Sequence, residues 1–306
     1  MTAGANAEVR VPVCTVWSSP DAPRDIDEPA VRDHPDMAAW TASMGPDERR
    51  GLHGRTETQL LVGEPVVVRG ERDGWSQVLA PWQRSSGRPD GYPGWVRSAH
   101  VGKPAEHAGG QHAWVVSRTA VCGAGVDESL ELSMGTELEV EAVSGDTVTV
   151  RLPGRCADLP RSAVRLAGEG DAGTVDDVLA VARGFLGVRY LWGGTSGWGV
   201  DCSGLVHLTW RSQGVLLPRD AHEQAASPLV DDVPLDDVRA GDVYFFARPG
   251  ERIYHVGFAT RPVTDSGERW MLHAPEGGEL VEDAPLAPHR AETLVAARRV
   301  RAFTAR

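Results

Sequence analysis

The feature that most constrains the fold is an internal repeat in the first half of the chain. Gly63-Glu-Pro-Val-Val-Val runs through Gly74 to Pro81, and Gly135-Thr-Glu-Leu-Glu-Val runs through Gly145 to Pro153. Each copy then closes on Arg-Ser-Ala, at Arg97-Ser98-Ala99 and at Arg161-Ser162-Ala163. A glycine-punctuated, valine-rich unit that recurs with the same span is one small β-module used twice. Valines and tryptophans predict strands over Thr58 to Val62, Pro65 to Arg69, Ser76 to Ala80 and Gly94 to Arg97 of the first copy, which carries a longer excursion from Gln83 to Tyr92. Upstream, Val9 to Pro20 alternates as a first strand would. The proline- and aspartate-rich DAPRDIDEPAVRDHPD segment reads as an irregular surface connection. Met37, Trp40, Met44 and Leu52 lie at helical spacing broken by Gly45-Pro46, which predicts two short helices.

Ala167 to Gly173 has the composition of a linker. After it, Thr174 reads as an N-cap with Asp176 and Asp177 in the first turn, opening a helix that Gly187 ends. A glycine-rich aromatic stretch, YLWGGTSGWGV, then leads into Asp201-Cys202-Ser203-Gly204, with Leu205, Val206, Leu208, Thr209 and Trp210 at helical spacing. A second, polar helix is expected near Arg219. Strands are expected over Asp242 to Ala247, Tyr254 to Thr260, Trp270 to Ala274, Glu279 to Val281 and Val295 to Val300. Helices first and an antiparallel sheet afterwards make this half α+β. The expected organisation is a first β-module with a helical insertion (1–110), a second β-module (111–168) and an α+β unit (169–306).

Composition excludes some functions. The formal charge of −12 over 306 residues disfavours nucleic-acid binding, which needs a basic face. No apolar run is long enough to span a bilayer, so no membrane partner is expected. The N-terminus lacks a basic start and an apolar core, which leads to the expectation of a cytoplasmic protein without a leader. The cysteines at 14, 122, 156 and 202 show no paired spacing, against both a disulfide framework and a zinc ribbon. Cys14, Cys122 and Cys156 are read as structural.

Cys202 differs because it sits at a helix start, where free amides and the helix dipole favour a thiolate. A nucleophile needs a base, and the base needs a third group to hold it. His255 in Tyr254-His255-Val256-Gly257-Phe258 and His273 in Met271-Leu272-His273-Ala274 fall on strands that could face Cys202 together. The other eight histidines are read as surface residues. The same three side chains would also suit a mononuclear zinc site, but no metal and no cofactor are expected.

The ordered series YLWGG, DCSGLV, PRDAHEQ, AGDVYFF, YHVGF and LHA resembles the NlpC family of papain-like cysteine peptidases over about 130 residues. The resemblance implies Cys202 as nucleophile, His255 as base and acid, and His273 as the third polar residue. It also implies that the Tyr190 hydroxyl and the Cys202 amide stabilise the oxyanion. The long excursion from Arg261 to Arg269 departs from the family pattern and bears on His273. Two modules that resemble bacterial SH3-like β-barrels ahead of such a domain are similar to γ-D-glutamyl-L-diamino acid endopeptidases. Those enzymes act on murein stem peptides with a free N-terminal L-Ala. That likeness implies that Glu57, Tyr92 and Asp201 receive the alanine ammonium, while Ser203 and the Arg219-Asp220 pair are candidates for the substrate carboxylate. The alternatives are a secreted endopeptidase acting on intact peptidoglycan and an inactive stem-peptide-binding module.

Overall fold

The computed structural model describes residues 4–84, 90–105, 109–123, 129–168, 174–264, 266–276 and 279–301. Residues 85–89 of the expected excursion, 169–173 of the expected linker and position 265 lie outside them. The chain opens with two strands, β1 (Asn6–Val9) and β2 (Val13–Trp17), where one was expected from Val9 to Pro20. Pro12 has no N–H for a ladder, and the chain turns there. Next come α1 (Glu28–Val31), α2 (Met37–Ser43) and α3 (Pro46–Arg50). The last two are the short helices expected on either side of Gly45-Pro46. The connection expected to be irregular is instead organised on buried Asp27. Its carboxylate accepts from Arg24 Nε and Nη2 at 2.8 and 2.9 Å and from the Trp40 indole at 2.8 Å, and a buried charge so satisfied fixes the chain around it.

β3 (Thr56–Leu61), β4 (Pro65–Arg72), β5 (Trp75–Ala80), β6 (Tyr92–Arg97) and β7 (Val101–Gly102) complete a seven-stranded antiparallel sheet in the order β3-β2-β6-β5-β4-β1-β7. The next unit holds β8 (His112–Val115), β9 (Thr119–Cys122), β10 (Leu130–Ser133), β11 (Glu137–Ser144), β12 (Thr147–Leu152), β13 (Arg155–Pro160) and β14 (Val164–Leu166). Five of these strands form a sheet in the order β13-β12-β11-β8-β14, and β9 pairs with β10. The sequence repeat is visible as repeated structure. Hairpins β4–β5 and β11–β12 each carry an irregularity at the same place, Val68/Gly70 and Val140/Ala142. Each Arg-Ser-Ala leads through a 3-10 turn, Ser98–His100 or Arg161–Ala163, into a short return strand.

The remaining unit begins with α4 (Val175–Arg183), where Thr174 and Asp177 cap each other as the sequence suggested. The helix stops at Gly184, short of the expected Gly187. It continues with β15 (Thr195–Ser196), β16 (Gly199–Val200), α5 (Cys202–Ser212), α6 (Ala221–Ala225), β17 (Val230–Val233), β18 (Val243–Ala247), β19 (Ile253–Ala259), β20 (Trp270–His273), β21 (Glu282–Pro285), α7 (Pro288–Ala291) and β22 (Leu294–Val300). Six strands form an antiparallel sheet in the order β17-β22-β18-β19-β20-β21. β17 was not expected. The strand expected at Glu279 to Val281 is displaced, since Leu280 makes only an isolated bridge to Arg189 and the paired segment starts at Glu282.

All eleven residues of α5 are buried, because the helix has neighbours on every side. It packs on β19, its Arg211 meets Glu64 of the first unit in a buried ion pair, and Gly135 of the second unit lies against Leu208. The largest apolar core joins Trp17, Trp40 and Leu52 of the first unit to Leu205, Val206 and Trp210 of α5. Two histidines expected at the surface are buried. His207 donates from Nδ1 to the Leu217 carbonyl at 2.7 Å, and His100 Nε2 lies 2.8 Å from the Arg32 carbonyl. The cysteines are free; Cys14 and Cys122 are buried, but Cys156, read as structural, is exposed. Among the described residues no helix is long and apolar enough to cross a membrane.

Candidate active site

Cys202 is the first residue of α5, and Asp201 is its N-cap, accepting from the Gly204 amide at 2.7 Å. The glycine after Ser203 has a steric reason. A Cβ on Gly204 would meet the Gly194 carbonyl oxygen at 2.0 Å, so only glycine lets the helix start seat against the YLWGG loop. Burial pushes the Cys202 thiol up to about 12; Asp201 adds to the rise, while Arg219 and the amides of Ser203 and Val256 pull it back. Burial thus favours the thiol over the thiolate expected from the helix start, so that a nearby base takes the proton during attack.

The two histidines lie on adjacent strands, as expected. His255 Nε2 and His273 Nδ1 are 2.7 Å apart, with the rings nearly perpendicular at 84°. Gly257 makes this approach feasible, because a Cβ there would meet the His273 Cβ and the Met271 side chain, each at 2.8 Å. The excursion from Arg261 to Arg269 does not part the strands. It leaves from one end of the β19–β20 ladder, while His273 lies at the far end of β20. Burial favours the neutral form of both imidazoles. Burial, then His273 and Arg290, hold His255 well below its usual value, and burial, then Arg290, push His273 down to about 3.

Cys202, His255 and Tyr190 line one cleft of about 540 Å³ with Glu57, Tyr92, Asp201, Ser203, Arg219 and Asp220. Tyr190 is held at both ends of its peptide unit. Its amide donates to the Glu279 carbonyl at 2.8 Å, and its carbonyl accepts from Arg49 Nη1 at 3.1 Å. Burial, reinforced by Cys202, raises its hydroxyl well above the usual phenol value, so it stays a donor.

The candidate substrate residues divide into two groups. Arg219 is turned inward: Nη1 donates to Asp201 at 3.0 Å and to the Ser203 hydroxyl at 2.9 Å, Nη2 donates to Asp201, and Nε donates to Thr58 at 2.9 Å. The Ser203 hydroxyl in turn donates to Asp201 at 3.2 Å. Of these two, both read from the sequence as partners of a substrate carboxylate, Ser203 has its hydroxyl hydrogen committed to Asp201 and Arg219 has four of its five N–H groups committed within the protein. Asp201 also accepts from the Gly193 amide at 3.0 Å. It borders the cleft, but its charge is matched by Arg219, so it offers an acceptor rather than a net negative charge. Tyr92 and Asp220 form the second group. The Tyr92 hydroxyl stands 3.2 Å from each Asp220 oxygen, and Glu57 on β3 shares their cleft.

Several residues of the site escaped the sequence reading. Thr58 Oγ1 donates to Gln83 Oε1 at 2.6 Å, and the Gln83 amide donates to the Gln59 carbonyl at 2.7 Å. Thr195 closes the network on Gln59, with its amide 3.1 Å from the side-chain oxygen and its hydroxyl 2.8 Å from the carbonyl. Thr56 Oγ1 donates to the Trp192 carbonyl at 2.9 Å. These are neutral residues with no motif, and only the docking of β3 on the Trp192–Thr195 loop gives them a role. Glu282, 3.2 Å from His273 Nε2, was missed with the position of its strand. Among the described residues no group of metal-binding side chains is present.

Comparison with known proteins agrees with this architecture. Residues 187–299 match the model of the NlpC/P60 family, and residues 49–101 match that of the bacterial dipeptidyl-peptidase SH3 domain. The chain is 34% identical to a γ-D-glutamyl-L-lysine dipeptidyl-peptidase of Bacillus subtilis, over 88% of this chain and 90% of that protein. It is 32% identical to a Bacillus cereus protein of the same name, over 96% and 91%. A solved NlpC/P60 family protein from Bacillus cereus superposes with a TM-score of 0.88 at 30% identity, covering 97% of this chain and 99% of that one. With an SH3-like unit ahead of an α+β domain built on a helix-start cysteine and two paired histidines, and with relatives this similar over nearly their whole length, the chain belongs to the NlpC/P60 family of cysteine peptidases.

Proposed function

We propose that this chain cleaves the bond between γ-D-glutamate and an L-diamino acid in free murein stem peptides that begin with L-Ala, as a step in peptidoglycan recycling. The observation that carries the reading is that Glu57, Tyr92 and Asp220 border the same cleft as Cys202 and His255. Two carboxylates and a phenol suit a small ammonium, whose removal from water must be matched by charge and acceptors. The names of the Bacillus relatives support the γ-D-glutamyl bond.

In this reading His255 takes the thiol proton as Cys202 attacks the γ-carbonyl carbon. The Cys202 amide and the Tyr190 hydroxyl receive the oxyanion. His255 then returns the proton to the leaving amine, and water releases L-Ala-γ-D-Glu from the thioester. With Arg219 turned inward, the D-glutamate carboxylate falls to Arg248, a cleft residue whose guanidinium lies 4.5 Å from the Tyr254 ring centroid. A cytoplasmic setting belongs to the same proposal, and fractionation of the native protein tests it. The decisive assay compares the free tripeptide with the same peptide acetylated on its alanine amine. Turnover of the free form alone is expected, and equal turnover of both sinks the ammonium site.

A further inference from the structure

The hydrogen bonds around the two histidines can be followed proton by proton, and they start from a residue at the edge of the site. Glu282 is the cross-strand partner of His273 in the β20–β21 ladder. Its Oε1 lies 3.2 Å from His273 Nε2, and its side chain is 54% exposed. A carboxylate can only accept, so the hydrogen in that contact belongs to His273 Nε2. A neutral imidazole carries one N–H, and burial favours the neutral form of His273, so with Nε2 donating its Nδ1 is a bare lone pair. The hydrogen in the 2.7 Å contact between the rings must then come from His255 Nε2. In its neutral form, which burial favours, His255 then has no hydrogen on Nδ1, the nitrogen that remains for Cys202.

We propose that Glu282 is a positioning residue that sets the tautomers of both histidines and so presents His255 Nδ1 to the Cys202 thiol as an acceptor. The inference rests on the reading of Cys202 as nucleophile and His255 as base. In the opposite arrangement His273 Nδ1–H donates to His255 Nε2, and His255 meets the thiol with an N–H. The base then already holds the proton it should remove. Among the described residues, the groups placed around the ring pair include Cys202 of α5, which lines the same cleft as His255, Phe246 on β18, Tyr254 beside His255, Glu282 on β21 and Arg290 on α7. Among them Glu282 is the one that contacts His273 Nε2 as an obligate acceptor.

The test uses the full chain with E282Q and E282K. A glutamine amide can turn its oxygen to His273 Nε2 and preserve the tautomer, whereas a lysine ammonium offers only donors and reverses it. E282Q is expected to stay within about threefold of the parent in kcat. E282K is expected to lose about 10- to 100-fold in kcat with little change in KM. The loss persists in 1 M salt, where a Debye length of about 3 Å screens an exposed charge. Long-range proton–nitrogen spectra of protein labelled with 15N-histidine read the tautomers without substrate. His273 is expected to be protonated on Nε2 in the parent and E282Q, and on Nδ1 in E282K. Parent-like turnover by folded E282K overturns the proposal, as does a parent spectrum with the proton on Nδ1. If the parent cleaves no stem peptide, the substrate reading fails, and the parent spectrum still decides the role of Glu282.

Discussion

Arg219 and Asp201 show how far a residue's neighbours decide its role. Sequence alone identified both as polar groups near the nucleophile, and the Asp201 cap and the helix-start cysteine were legible because capping follows local rules. That Arg219 points inward, with its guanidinium shared among Asp201, Ser203 and Thr58, depends on a strand more than 150 positions away, and no local pattern encodes it. The ammonium site proposed at Glu57, Tyr92 and Asp220 has a pH signature. Burial raises the Asp220 carboxyl above its usual value, so its charge is lost at a higher pH than that of an ordinary aspartate as pH falls. The substrate ammonium, with an amine pKa of about 8, is lost as pH rises. A profile of kcat/KM against pH is therefore expected to fall above about pH 8 for the free peptide. His255, held well below its usual value, contributes no limb in the usual histidine range. A profile unchanged through pH 9.5 would contradict the ammonium site.

At the scale of strands and helices, the packing of β19 on β20 is the site's most sensitive joint. Gly257 is not in the left-handed region; its importance is the space it leaves for His273 and Met271. G257A is expected to push β20 outward, at a cost of about 1–3 kcal/mol in stability. It should lower kcat by about 100-fold, since a displacement near 1 Å is enough to spoil alignment. Circular dichroism and thermal melting check the fold, and single-turnover kinetics check the chemistry; unaltered kcat in a folded variant would show that the ring pair tolerates the shift. Elements with strong periodicity or clear caps were legible, including α2, α3, α4, α5 and the paired hairpins of the repeat. The register of β21 was not. Leu280 and Val281 are the apolar residues of that stretch and drew the expected strand toward themselves, whereas the ladder to β20 uses Glu282–Pro285. A shift of three residues hid the carboxylate opposite His273.

The whole molecule is less modular than its sequence. A composition-based linker and a repeat suggested two β-units followed by a separate α+β unit. Yet the largest core draws on both halves of the chain, and the buried Arg211–Glu64 ion pair joins them where loss of one partner would strand the other charge. Expressed alone, residues 169–306 are accordingly expected to show no cooperative thermal transition and no turnover. A sharp transition with intact activity would show that the first unit is dispensable. The hold of Thr56 and Gln59 on the Trp192–Thr195 loop also carries an evolutionary consequence. A lineage cannot alter its substrate range by discarding the β-unit that brings Glu57 and Tyr92 to the cleft, because the same strand holds the Trp192–Thr195 loop beside it. On the proposed ammonium site, the open route is piecemeal exchange of side chains at positions 57, 92 and 220, one specificity at a time.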